Sequence, residues 1–246
     1  MLTWPVVVVV AALLGSFLNV CISRLPRGES VVSPPSHCPR CDAPIRYYDN
    51  LPLVSFALLG GRCRACREPI SWRYPIVEAL AAAVGFLAFW QLGPTWAGLR
   101  AFVLGLALIA ITFIDLETLL IPDRITLPGI VIGLGLSLVP SPRALVWALI
   151  GCLVAGGLFY AIAALSRGGM GGGDIKLAAM LGAFLGWPLV VLAIFAAVVL
   201  GGVVALGLLA SGRRGRKDAV PFGPFLAFGG LLTALWGRPV LAWYLG

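Results

Sequence analysis

The stretch "MLTWPVVVVVAALLGSFLNVCISRLPR" (residues 1–27) decides how the rest of the chain is read. Its apolar run is long enough to cross a hydrocarbon core of ~30 Å. Read as a secretory signal it is removed; read as a first span it orients everything that follows. No basic region precedes the run and no Ala-x-Ala-like cleavage site follows it, so the reading is a retained span. Apolar runs of similar length recur along the whole chain. Of 246 residues, 60% are hydrophobic and 11% charged, under half the ~25% charged residues of an ordinary soluble domain. The expected fold is an all-α polytopic membrane protein.

Hydropathy and breakers predict about eight transmembrane helices, near 2–23, 74–92, 98–114, 125–140, 144–165, 175–187, 189–210 and 222–245. The sixth is short, and only "GWP" (186–188) parts it from the seventh. With the N-terminus outside, alternation places segments 24–73, 115–124, 166–176 and 211–221 inside. Every Lys and Arg then falls inside except Arg100, Arg143 and Arg238, and the cluster Arg213, Arg214, Arg216 and Lys217 is cytoplasmic. The positive-inside rule favours this orientation over its inverse. It also explains the net charge of +8 through the lipid bilayer, without a nucleic-acid partner. The chain divides into a first span (1–23), a polar cytoplasmic insert (24–73) and a transmembrane core (74–246).

The insert carries "CPRCDAPI" (38–45) and "CRACREPI" (63–70), two copies of Cys-x-x-Cys-x-x-Pro-Ile at a period of 25 residues. Cys-x-x-Cys sets two thiolates on one tight turn, and two such turns facing each other form a tetrahedral sulfur cage suited to structural zinc. Cys38, Cys41, Cys63 and Cys66 are therefore the expected Zn(2+) ligands. The rival readings are two disulfides or idle thiols. A reducing cytoplasm disfavours disulfides, and so short a segment needs a metal to make up for its small apolar core. Four thiolates close the cage, so this metal has no catalytic opening, and His37 beside Cys38 is redundant. Cys21 and Cys152 lie in spans and read as small apolar residues.

Of the ten acidic residues, Glu78, Asp115, Glu117, Asp123 and Asp174 lie within spans or at their ends, where ionisable groups are functional candidates. Asp218 belongs to the basic loop. In "FIDLETLLIPDRITLP" (113–128), Pro122 interrupts any helix, and Asp123 reads as the N-cap of the next span. Asp115 lies near the C-terminal end of its helix, where the dipole disfavours negative charge. Even in a continuous helix it would stand ~12 Å from Asp123, too far to share a proton. In "RGGMGGGDIKLAAM" (167–180), Gly168, Gly169, Gly171, Gly172 and Gly173 lead into Asp174. The bland reading is a flexible loop ending in an N-cap. The sharper one places Asp174 at the same membrane depth as Asp115, with the glycines leaving room for an extended substrate. Two adjacent carboxylic acids cannot both ionise at neutral pH; one keeps a proton while the other activates water. The single histidine leaves no Ser-His-Asp set among the spans, and no His-Glu-x-x-His is present.

At these residues the chain resembles the bacterial type IV prepilin peptidases, bifunctional leader peptidase/N-methyltransferases of type IV pilus and type II secretion systems. The matching pieces run in family order: "GSFLNVCISRLPRGES" (15–30), the two knuckles, "YPIVEAL" (74–80), "IDLETLLIPD" (114–123) and "GGGDIKLAAMLGAFLGW" (171–187). The resemblance implies a membrane aspartyl peptidase of the Gly-x-Gly-Asp type, with Asp115 and Asp174 catalytic and Gly171 and Gly173 in the loop that meets the substrate. It makes 74–246 the peptidase core and the insert a methyltransferase-associated, zinc-binding unit. It further implies prepilin or pseudopilin substrates, cut on the cytoplasmic side of the inner membrane, and S-adenosyl-L-methionine as methyl donor. No glycine-rich nucleotide fingerprint locates a site for that donor. Glu78 and Lys176 fall in family motifs; they serve one activity or form a buried ion pair, and stay outside the catalytic set. Rival functions are an ion-coupled transporter with broken helices, a membrane transferase holding a phosphate at a helix N-terminus, and a scaffold with a zinc platform. The chain has no repeat relating its halves, and its candidate acids sit at one face, which weighs against the transporter.

Overall fold

Two side chains mark where long helices start. Thr95 Oγ1 accepts from Gly98 N–H, and Ser141 Oγ accepts from Ala144 N–H. Each satisfies an amide that the first turn leaves open, and such a cap is worth about 1 kcal/mol. The computed structural model, which describes residues 3–166, 170–211 and 221–246, contains helices α1 (Thr3–Arg24), α2 (Val54–Leu58), α3 (Arg73–Leu92), α4 (Trp96–Thr118), α5 (Asp123–Leu138), α6 (Pro142–Leu165), α7 (Gly172–Leu185), α8 (Leu189–Ala210) and α9 (Gly223–Leu245). Among the described residues there is no strand. The fold is all-α, as expected, with a small insert carrying the four-cysteine cluster. Arg167, Gly168 and Gly169, and the basic loop with Arg213, Arg214, Arg216, Lys217 and Asp218, lie outside the described residues.

Eight helices stand where eight spans were expected, with α2 a short extra turn inside the insert. Six of them, α1, α3, α4, α6, α8 and α9, are long and apolar enough to cross a membrane. The other two are shorter: α5 has 16 residues and α7 has 14, about 24 and 21 Å at ~1.5 Å per residue. For α7 the reason is visible in its packing. Helix α7 is wrapped by α5, α6 and α9, and Leu177, Ala178, Met180, Leu181, Ala183 and Phe184 are buried. A helix sheathed by protein is not held to the thickness of the hydrocarbon.

Two apolar clusters organise the bundle. One joins α4, α6, α7, α8 and α9 around Leu108, Phe159, Leu181 and Leu226. The other joins α1, α3, α4 and α9 around Ile22, Val77, Ala101 and Ile114. Helix α4 contributes to both, so its C-terminal end is fixed from two sides. Arg73 at the start of α3 adds an ion pair to Glu117 near the end of α4, at 2.8 Å.

The insert is tied to this bundle by polar contacts. Glu78, buried in α3, accepts from Leu53 N–H at 2.8 Å, and Ser16 of α1 donates to Asn50 at 3.3 Å. Of the two readings left open for Glu78 and Lys176, the ion pair does not occur: Glu78 accepts from the insert's backbone, and Lys176 pairs with Asp123. Arg64 grips Asp49 with two nitrogens and holds its carboxyl below the usual carboxylate range. That clamp therefore supports the insert above the ordinary Asp range and is lost as pH falls below it.

Candidate active site and tetracysteine centre

Helix α4 ends because Leu119 takes a left-handed conformation (φ 56°) while its N–H caps Asp115 O, and Pro122 cannot continue a helix. This leaves Asp115 one turn from the end of α4, buried at 4% exposure. Its own helix presents carbonyls there, an unfavourable place for a carboxylate. The compensation comes from elsewhere. Gly223 N–H, at the first turn of α9, donates to Asp115 Oδ2 at 2.9 Å, so the positive end of α9 faces the acid. A Cβ on residue 223 would stand 2.5 Å from that oxygen; only glycine lets the amide come this close. Gly223 is the functional residue that sequence reasoning missed. Its signal was "PFGPF" (221–225), a glycine set between prolines and aromatics at the start of the last span.

Asp174 lies in the first turn of α7 and is not its N-cap: that position belongs to Gly171, which has no side chain to close the helix start. Its Oδ2 lies beside Gly171, while Oδ1 is buried without a hydrogen-bond partner among the described residues. A buried, unpaired acceptor is costly, on the order of 1–3 kcal/mol, and marks a place built for a further donor. The contact of Gly173 with Ile121 brings the start of α7, which bears Asp174, to the end of α4, which bears Asp115, across 59 positions of sequence. Gly173 sits under the connection between α4 and α5, where an added Cβ would be 2.7 Å from Ile121 Cβ. Gly173 thus lets Ile121 pack against the turn that bears the second aspartate. Asp115, Asp174, Gly171 and Gly173 come together at one end of the bundle.

Asp123 corrects an expectation. It does not cap α5; the N-cap position is Pro122, and no side chain caps that start. Its carboxylate instead pairs with Lys176 Nζ at 2.6 Å. A cation supplied by α7 outcompetes the local amides, and the pair ties the start of α5 to the turn that bears Asp174.

The two cysteine knuckles fold alike. Cys38 N–H donates to Ala43 O at 2.9 Å and Cys63 N–H to Glu68 O at 2.8 Å. Matching isolated bridges join His37 to Pro44 and Arg62 to Pro69. Asp42 and Arg67, each following the second cysteine of its knuckle, are left-handed at φ 54° and 60°. The four Sγ atoms lie within 4.8 Å of one another, with Cys38 and Cys66 at 3.9 Å and no disulfide. Tetrahedral zinc at ~2.3 Å from each sulfur needs sulfurs about 3.8 Å apart, so the donor set fits that ion. Backbone amides of Cys66 and Ala65 lower the Cys63 thiol to about 7. Cys66 is pushed up to about 12: the Glu68 N–H lowers it, but desolvation and the three neighbouring sulfurs outweigh that. Four thiolates in one cage need a cation to hold them together. His37 turns aside, its Nδ1 against Pro35 O. Cys21 is buried and Cys152 partly buried, each within a helix and away from the cage.

Comparison with known proteins gives concordant results. Residues 9–92 match the bacterial peptidase A24 N-terminal domain, and residues 102–206 match the type IV leader peptidase family. The prepilin leader peptidase/N-methyltransferase of Aeromonas hydrophila is 37% identical over 273 residues, covering 99% of this chain and 94% of that protein. That of Pseudomonas putida is 35% identical over 261 residues, covering 95% and 91%. The Pseudomonas aeruginosa enzyme of the same name is 34% identical over 267 residues, covering 97% and 92%. No solved structure matches.

Proposed function

This chain belongs to the type IV leader peptidase family, and we propose that it cleaves the short basic leader of prepilins or pseudopilins and then N-methylates the new N-terminal residue. The observation that carries the peptidase half is the meeting of Asp115 and Asp174 beside a glycine loop, with one carboxylate oxygen buried and unpartnered. The Gly223 N–H and the positive end of α9 support Asp115 as the charged base that takes a proton from water. Asp174 keeps the other proton and gives it to the departing amine as water oxygen bonds the scissile carbonyl carbon. The open backbone around Gly171 and Gly172 leaves the substrate chain room to lie extended against the pair, while Gly173 lets Ile121 pack close beside it.

The positive-inside charge distribution supports an N-terminus outside and a dyad at the cytoplasmic face of the inner membrane. The apolar stem that follows a leader then lies among the helices while the scissile bond reaches the acids. The division into first span (1–23), insert (24–73) and peptidase core (74–246) follows the same logic. Cys38, Cys41, Cys63 and Cys66 hold structural Zn(2+), which stabilises an insert too small for its own apolar core. S-adenosyl-L-methionine supplies the methyl group when bound.

Purified chain in detergent, given a prepilin-like peptide and labelled S-adenosyl-L-methionine, is expected to release the leader and label the mature N-terminus. Absence of cleavage removes the peptidase reading, and cleavage without labelling removes the methyltransferase. Gly223→Ala tests the positioning of the base. Its new methyl group collides with Asp115 Oδ2, and displacing a reacting group by ~1 Å costs about 10²-fold in rate. Cleavage within about twofold of wild type, at an unchanged thermal midpoint, would show that this amide does not position Asp115.

A further inference from the structure

The end of the bundle opposite the aspartates is built from cationic and aromatic parts that the proposed reaction does not use. Arg100 of α4 and Arg238 of α9 each lie 15 residues from the dyad end, Asp115 and Gly223 respectively, about 22 Å along their helices. Both line a cavity of ≈420 Å³ together with Trp147, Trp187, Leu189 and Leu241. The two side chains face one cavity, and neither has a carboxylate partner among the described residues. The reason is in the sequence: residues 79–114, 124–173, 175–217 and 219–246 contain no Asp or Glu. Arg100 donates to Phe184 O, an open carbonyl at the end of α7, which occupies one of its five N–H donors. Helices α6 and α8 begin at the same cavity, adding the positive ends of two dipoles.

We propose that this cavity binds the phosphate of an anionic phospholipid from the leaflet on that side, the outer leaflet in the orientation proposed above. Two converging guanidinium groups without an internal counter-ion call for an external anion, and arginine suits phosphate because its planar fork donates two bonds at once. The apolar walls distinguish a lipid from a free ion. Leu185, Leu189, Leu241 and Ala242 flank the arginines and offer the glycerol and first methylenes a surface that inorganic phosphate does not use. Trp147 and Trp187 are 44% and 39% exposed, and Trp90, Trp96 and Trp243 lie near helix ends on the same side. Tryptophans at that level are the mark of the membrane–water interface, where headgroups reside.

The test uses the full chain in zwitterionic detergent. Short-chain phosphatidylglycerol should raise the thermal midpoint saturably, while phosphatidylcholine of equal chain length should not. Arg238→Gln removes an exposed side chain that no buried contact needs, and should weaken the apparent affinity about tenfold. Arg238→Lys keeps the charge but loses the fork, and should recover only part of the response. Arg143→Gln, a charge outside the cavity, should leave it within about twofold. Equal protection by phosphatidylcholine, an unchanged response in Arg238→Gln, or an equal loss in Arg143→Gln each overturns the site. Protection by inorganic phosphate at the lipid's own concentration overturns the lipid assignment.

Discussion

Replacing Asp115 or Asp174 with Asn is expected to cut leader cleavage by about 10²–10⁴-fold, the range that general acid–base catalysis supplies. Asn preserves the shape of the side chain and can still accept from the Gly223 N–H, so the end of α4 should keep its place. What it removes is proton exchange. A neutral amide at position 115 has no charge with which to draw a proton from water, and one at 174 has no acidic proton to give the leaving amine. The two single variants should therefore lose similar amounts, and the double variant little more, because the pair acts as one unit. Peptide cleavage measured at fixed enzyme, alongside zinc content and thermal midpoint, separates this from misfolding. Cleavage persisting in both single variants would falsify the two-aspartate mechanism.

The second large effect belongs to the insert. Cys38→Ser and Cys63→Ser, one from each knuckle, should drop bound zinc from about one per chain to near zero, since structural zinc in small domains contributes about 10–16 kcal/mol of apparent binding energy. Without it, segment 24–73 should become sensitive to protease while the helical core stays resistant. The helical bundle is held by its own two apolar clusters, and segment 24–73 meets it through the polar contacts Leu53–Glu78, Ser16–Asn50 and Arg73–Glu117. Methyl transfer should fall further than leader cleavage. Zinc retained at wild-type content in both variants would mean that the four sulfurs are not the ligands. An equal loss of both activities would mean that the dyad depends on the insert.

Much of this was legible before any coordinates. The apolar runs set the places of the long helices, Pro122 set the break between α4 and α5, and the repeated Cys-x-x-Cys-x-x-Pro-Ile set two matching knuckles. Asp123 shows where such reading stops. An Asp after a proline at a helix start looks like a cap, yet its partner is Lys176, 53 residues away. The partner of Glu78 was left open for the same reason: it is a backbone amide in the insert. The short lengths of α5 and α7 were visible in the sequence, but not that α7 is sheathed by other helices, because hydropathy registers apolar residues without saying whether lipid or protein surrounds them.

Spacing within one or two turns is governed by backbone geometry that each residue carries with it, and so the sequence by itself determined the helices, the glycine loop before Asp174 and the quartet of cysteines. The tertiary structure alone decided what stands opposite each charge: α9 turning its first amide to Asp115 across 108 residues, Lys176 reaching Asp123, and Arg100 and Arg238 sharing a cavity without an acid. Those encounters depend on how helices pack against one another. A packed interface is a property of several segments at once, and no single stretch of chain encodes it.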